Sequence, residues 1–101
     1  MTWGPFADGS TVGSQGSEGG IILRDEEHPL GSRITLERGG ATAPYSITCG
    51  IYGSMFHTAC AGNEADGASM YEAMRDRLVL LLEAPTEDEY LAMLRRFVDD
   101  Y

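Results

Sequence analysis

The sequence predicts an α+β fold: an antiparallel β-meander of about four strands, followed by two C-terminal α-helices packed on one sheet face. Residues 21–60 contain runs of strand-forming side chains separated by glycine and proline, whereas helix-forming residues dominate 63–101. A chain with its strands first and its helices last typically folds as α+β, because the helices then cover the sheet from one side. A length of 101 residues predicts a single domain spanning 1–101.

Residues 1–20 are predicted to form a loosely ordered arm or long loop, because glycine and serine dominate their composition. Trp3 and Phe6 are large and apolar, and we expect them to pin this arm to the core.

Residues 21–38 predict the first hairpin. Ile21–Arg24 is a strand-forming run, and 25–31 is a predicted polar turn that contains Pro29 and Gly31. Residues 33–38 alternate between apolar and charged side chains, the pattern of a half-buried strand. Glycine opens the next predicted loop, which ends at Pro44.

The segment 45–60 has the densest chemistry in the chain, since it contains both cysteines and one of the two histidines. A glycine at position 53 suits the first central position of a type II′ two-residue turn. We therefore predict strands at 45–52 and 55–60, joined at Gly53 and Ser54. One continuous bent strand is the alternative.

A two-residue turn fixes the register of this hairpin and divides its side chains between two faces. Ile51 would lie opposite Phe56, and Gly50 opposite His57. The predicted core face consists of Ile47, Cys49, Ile51, Phe56, Thr58 and Cys60. The other face, a predicted interface or ligand face centred on Tyr52, Met55 and His57, also includes Thr48, Gly50 and Ala59. A slip of one residue would exchange the two faces.

Two amphipathic helices are predicted after residue 62. The first begins at Asn63, at Asp66 or, by its capping box, at Ser69, and it ends before Pro85. The second begins with the capping box at 86–89. The predicted buried residues are Tyr71, Met74, Leu78, Leu81 and Leu82 in the first helix, and Tyr90, Leu91, Leu94, Phe97 and Val98 in the second.

The candidate reactive groups do not form a recognised site in this register. His57 would face away from Cys49 and Cys60, so no base would lie within reach of a thiol. Zinc sites take four ligands at closer spacing than these three residues offer. The acidic segment 25–28 lacks calcium-loop spacing and is predicted to be a solvated turn. We therefore predict two free structural thiols, no metal and no cofactor.

The net charge of −9 constrains the partners, and all seven basic residues are arginine. Nucleic acid and anionic membrane surfaces both require cationic footprints, so neither is a predicted partner. No apolar run approaches the roughly 20 residues that span a bilayer, and the N-terminus lacks the pattern of a signal peptide. A cytoplasmic location with reduced cysteines is the resulting expectation.

These observations favour a small acidic non-enzymatic domain, either a protein-interaction module or a homo-oligomer such as a dimer. Its predicted contact face contains Tyr52, Met55 and His57. The alternative is a small-ligand binder or an enzyme that uses Tyr52 and His57, with or without Cys49. A second alternative is an acidic inhibitor or immunity-type protein of a basic partner.

Overall fold

The computed structural model describes residues 2–101 and confirms the α+β fold, with antiparallel strands followed by two helices. Its elements are β1 (Gly4–Pro5), a 3₁₀ segment (Phe6–Gly9), β2 (Ile21–His28), β3 (Ser32–Arg38), β4 (Tyr45–Ile51), β5 (Met55–Ala61), α1 (Glu64–Leu82) and α2 (Glu87–Asp100). The five strands are hydrogen-bonded in chain order, so β1 and β5 form the two edges of the sheet. The strand beyond the predicted four is β1, which lies within the predicted arm.

The arm is more ordered than its composition predicts. Gly4 and Pro5 pair with β2, and the Arg33 guanidinium lies 3.5 Å from the centroid of the Phe6 ring. The Trp3 ring meets that of His28 edge-on, with centroids 5.2 Å apart. Both aromatic side chains thus attach the N-terminus to the sheet, as we expected.

Strand β2 is longer than predicted, because residues 25–28 continue the strand instead of turning. The register shifts between Ile22 and Arg24, and the strand then pairs with β3 as far as His28. Alternation places Asp25 on one face of the sheet and Glu26 on the other. Both carboxylates acquire cationic partners there, which is why an acidic run is tolerated in a strand.

The β4–β5 hairpin forms, but the predicted register is wrong by one residue. Ile51 pairs with Met55, and Cys49 pairs with His57. The loop therefore contains three residues, 52–54, rather than two. The β5 side chains consequently exchange faces relative to the prediction.

The turn chemistry explains the shift. The Ser54 N–H donates to the Ile51 carbonyl over 2.9 Å, and Gly53 has a φ of +77°. Gly53 is thus the third residue of a 51–54 turn, where type II geometry requires a positive φ.

Both helices begin at capped residues. The Asn63 side chain accepts a hydrogen bond from the Asp66 N–H at the start of α1, so Ser69 lies within this helix. The Thr86 hydroxyl accepts one from the Glu89 N–H at the start of α2, as the capping box predicts.

The core lies between the helices and one face of the sheet. Helix α1 crosses β3, β4 and β5. It approaches β4 closely at Gly67, where a Cβ atom would lie 3.2 Å from that of Tyr45. The buried core residues are Ile34, Leu36, Ile47, Cys49, Ile51, Ala59, Tyr71, Met74, Leu78, Leu81 and Phe97. Within residues 2–101, neither helix is long and apolar enough to cross a membrane.

Candidate functional site

The structure separates the three residues of the predicted contact face. Tyr52 lies in the 52–54 loop, is 56% exposed, and donates its hydroxyl to Glu27 over 2.6 Å. Partial burial and this hydrogen bond raise the pKa of Tyr52 to about 12, so its hydroxyl stays protonated. Met55 and His57 are half-buried on the helix-covered face of β5. Tyr52 and His57 therefore do not converge on one site.

The one-residue shift instead brings Cys49 and His57 together. They pair directly across β4 and β5, and the His57 ring meets the Phe97 ring edge-on at 6.3 Å. Burial raises the pKa of the Cys49 thiol to about 12, so it is protonated at neutral pH. This pair consequently lacks the thiolate that nucleophilic chemistry requires.

The second thiol lies on the other side of the sheet. Cys60 pairs with Ser46 and is exposed, whereas Cys49 is buried, and both cysteines are free. Across residues 2–101, no group of three or more His, Cys, Asp or Glu side chains is arranged to hold a metal ion.

The face of the sheet opposite the helices, here called the open face, is half covered by the N-terminal arm. Asp25 anchors the arm because its buried carboxylate accepts hydrogen bonds from Thr11, Thr35 and Arg33. Burial raises the pKa of Asp25, but these bonds outweigh it and leave the pKa lowered.

A second carboxylate holds the rest of the arm. Glu37 is 1% exposed and accepts hydrogen bonds from the N–H groups of Glu18 and Gly20. Ser46 and Thr48 of β4 are buried on this face as well, so the exposed side chains of its far edge are Phe56 and Cys60 of β5.

A groove of about 790 Å³ runs between the arm and the tip of the β4–β5 hairpin. Thr35, Thr48 and Gly50 are among its lining residues, with Tyr52 and Phe56 at the hairpin tip. Its charged lining residue, Arg33, already forms two hydrogen bonds with Asp25. The groove therefore offers no uncommitted charge with which to select an ionic ligand.

The edge strand β5 is the second distinctive surface. Its seven residues, Met-Phe-His-Thr-Ala-Cys-Ala, include no proline and no Asp, Glu, Lys or Arg, and its pairing with β4 has no bulge. Proteins usually protect sheet edges with charge, proline, bulges or a covering segment. The opposite edge follows this rule, since β1 is only two residues long and contains Pro5.

The hydrogen-bond pattern shows which peptide groups of β5 point outward. The Gly50 carbonyl accepts from the Ser32 hydroxyl, and the Tyr52 N–H donates to the Gly31 carbonyl, so both residues point toward β3. Residues between these alternate positions of β4 therefore point toward β5 and pair with 55, 57, 59 and 61. The peptide groups of Phe56, Thr58 and Cys60 consequently point away from the sheet.

Large apolar side chains are exposed on β5 and on α2. Phe56 is 75% exposed on the open face. Leu91 and Val98 of α2 are 48% and 40% exposed, so the prediction that they are buried is wrong. Leu91 and Val98 are seven residues apart and share one side of α2. Asp100 points to the other side, where it accepts a hydrogen bond from Arg77 of α1. Leu91 and Val98 therefore lie on the flank of α2 that α1 leaves uncovered.

Comparisons with known proteins give no match to this chain: no family model, no curated protein and no solved structure is significantly similar to it.

The exposed β5 edge was not among the predicted surfaces, although the sequence contains one signal for it. The run 55–61 lacks charge, while charged residues punctuate β2 and β3. The predicted register placed Phe56 in the core, so the uncharged run did not indicate an exposed contact surface.

Proposed function

We propose that this chain is a non-enzymatic protein-interaction module that binds a partner by adding the partner's strand to β5. The observation that supports this most strongly is the uncharged, unbulged edge with outward peptide groups at Phe56, Thr58 and Cys60. In strand addition, main-chain hydrogen bonds supply affinity and alternate side chains supply specificity.

The exposed apolar side chains support the same function. Phe56 lies beside the edge on the open face, and Leu91 and Val98 lie on the uncovered flank of α2. Large exposed apolar groups around an unpaired strand are typical of a contact surface. A partner strand that pairs with β5 would cover Phe56 and complete the main-chain hydrogen bonds in one step.

A peptide titration followed by NMR tests this function. The probe is a soluble, lysine-flanked peptide of alternating valine and threonine, added to the isotope-labelled protein. We expect saturable shift changes concentrated at the amides of Phe56, Thr58 and Cys60. A matched peptide that is N-methylated at alternate amides keeps the charge but cannot pair, and it should produce no such changes. Equal responses to the two peptides, or no response at millimolar peptide from protein that sedimentation shows to be monomeric, would refute the proposal.

A pair of variants at one position provides the matched control in the protein. Thr58→Pro removes one outward N–H, and proline is tolerated on edge strands at this kind of position. Thr58→Val keeps the N–H and a β-branched side chain. We expect the first variant to lose peptide binding and the second to retain it, with both showing the parent circular dichroism spectrum.

A further inference from the structure

Building on the proposed function, we infer that the strand added to β5 is the β5 strand of a second copy of this chain. The two strands pair antiparallel about a two-fold axis at Thr58, and the two sheets become one ten-stranded sheet. Three features of β5 make the strand complementary to a second copy of itself, and they support this inference.

The first feature is the position of the outward peptide groups. They belong to Phe56, Thr58 and Cys60, which are symmetric about Thr58. In the inferred register Thr58 lies opposite Thr58, and Phe56 lies opposite Cys60. Each of these opposed pairs exchanges both of its N–H and C=O bonds, so no outward group of the three is left unpaired.

The second feature is the size of the side chains that lie opposite each other. Centring the pair on Thr58 places Phe56 opposite Cys60, Met55 opposite Ala61, and His57 opposite Ala59. Every large side chain of one strand therefore meets a small one of the other. Directly opposed side chains have Cβ atoms only ~4.5–5.5 Å apart, so this alternation avoids crowding across the interface.

The third feature is the row of threonines on the open face. Thr35 pairs with Thr48, and Thr48 pairs with Thr58. The hydroxyl oxygens of Thr48 and Thr58 lie 3.3 Å apart. A two-fold axis at Thr58 perpendicular to the sheet continues this row into the second copy. The open faces of the two copies then lie on the same side of the joined sheet.

Charge distinguishes a second copy from a basic partner strand. Each copy has a net charge of −9, yet β5 itself has no Asp, Glu, Lys or Arg, so the paired strands bring no like charges into contact. The rest of each copy repels the other, and this repulsion is screened by salt. Self-association should therefore strengthen as salt is added, whereas binding of a basic strand should weaken.

The flank of α2 adds area to the strand pairing. A specific interface usually buries roughly 1,000 Å² or more in total. We expect Leu91 and Val98 to supply apolar contact on the helix side of the joined edge, while Phe56 supplies it on the open face. The Leu91→Ser/Val98→Ser double variant should therefore weaken the dimer at least tenfold without changing the fold of the monomer.

Disulfide trapping together with sedimentation equilibrium tests the register. The trapping variant is Thr58→Cys in a Cys60→Ser background, because the opposed Cα atoms of a hydrogen-bonded pair lie ~5.5 Å apart, a separation that a disulfide spans. We expect rapid formation of a disulfide-linked dimer under mild oxidation. The parent protein is the matched control: its exposed Cys60 faces Phe56 of the second copy and should crosslink far more slowly.

The outcomes of these experiments distinguish β5 self-pairing from strand addition by another partner. A salt-strengthened dimer that is trapped at position 58 and lost in Thr58→Pro supports the inference. A chain that is monomeric at high micromolar concentration but still binds the valine–threonine peptide overturns self-pairing and leaves the proposed function standing. A dimer that crosslinks no faster at 58 than through Cys60 assigns the interface elsewhere. Failure of both peptide binding and dimerisation refutes the function as well.

Discussion

Cys49 and His57 face each other across β4 and β5, beneath the helices. Such a pair resembles the start of a nucleophilic site, but burial raises the pKa of the Cys49 thiol to about 12. His57 packs edge-on against Phe97, and its Nε2 is buried without a hydrogen-bond partner among residues 2–101. We therefore interpret the two side chains as packing partners and propose the outward edge of β5, not this pair, as the functional surface.

This relationship predicts unequal reactivity of the two thiols. In dilute protein at pH 8, Cys60 should react rapidly with a disulfide reagent, because it is exposed, while Cys49 should react only after unfolding. Stopped-flow absorbance should count one fast thiol per chain in the parent and none in Cys60→Ser. A fast thiol remaining in Cys60→Ser would show that Cys49 is activated, contrary to this account.

Most elements of the fold were predictable, but the register of the β4–β5 hairpin was not. Gly53 suits the first central position of a type II′ turn and also the third position of a type II turn, since both require a positive φ. The local sequence therefore fits a two-residue and a three-residue loop equally well. Packing of Cys49 and His57 beneath the helices selects the three-residue loop. The helices that favour this loop are formed by residues distant in the sequence from Gly53.

The end of β2 was unpredictable for a related reason. An acidic run is typical of a turn, and only the facing strand shows that Asp25 meets Arg33 and Thr35. Long-range partners thus turn a predicted loop into a strand. The cap of α2 at Thr86, by contrast, depends on neighbours within one turn and was predictable.

The buried carboxylate of Asp25 should make stability depend on acid pH. Its pKa is lowered in the folded state, so its contribution is present above the ordinary value of 3.8 and is lost as pH falls through the lowered value. Asp25→Asn should reduce the free energy of unfolding at pH 7 by about 2–3 kcal/mol and flatten its fall in acid. Urea denaturation at several pH values measures both effects.

Glu27→Gln is the control for this variant, because Glu27 is exposed on the same strand and should change stability by no more than about 0.5 kcal/mol. Equal losses in the two variants would contradict the anchoring role of Asp25.

The arm should be sensitive to a single methyl group at Gly20. A Cβ atom there would lie 2.6 Å from the Arg38 carbonyl oxygen and 2.9 Å from the Gly40 nitrogen, so the backbone would have to shift. Gly20→Ala should cost about 1–3 kcal/mol and speed proteolysis of the arm. Gly62→Ala, whose Cβ meets nothing within 4 Å, should be close to neutral. Similar behaviour of the two variants would mean that the arm does not pack against the 38–40 loop.

The hydroxyl of Tyr71 should contribute to the attachment of α1 to β2. It donates to the Glu26 carboxylate over 2.7 Å, in a site where Arg75 also donates to Glu26. Tyr71→Phe should lower the free energy of unfolding by about 1–2 kcal/mol. Tyr52→Phe removes an equivalent but exposed bond to Glu27 and should cost less than about 0.5 kcal/mol. Thermal denaturation of both variants would contradict this reasoning if Tyr52→Phe were the less stable.

Amide hydrogen exchange within β5 tests the central claim most directly, because the strand contains its own control. The N–H groups of His57 and Ala59 point toward β4, while those of Phe56, Thr58 and Cys60 point outward. We predict that the inward amides are protected at all protein concentrations, and that the outward amides become protected only as the concentration rises and the second copy pairs. Outward amides that exchange equally fast from micromolar to millimolar protein would contradict the claim that β5 is the surface through which this chain associates.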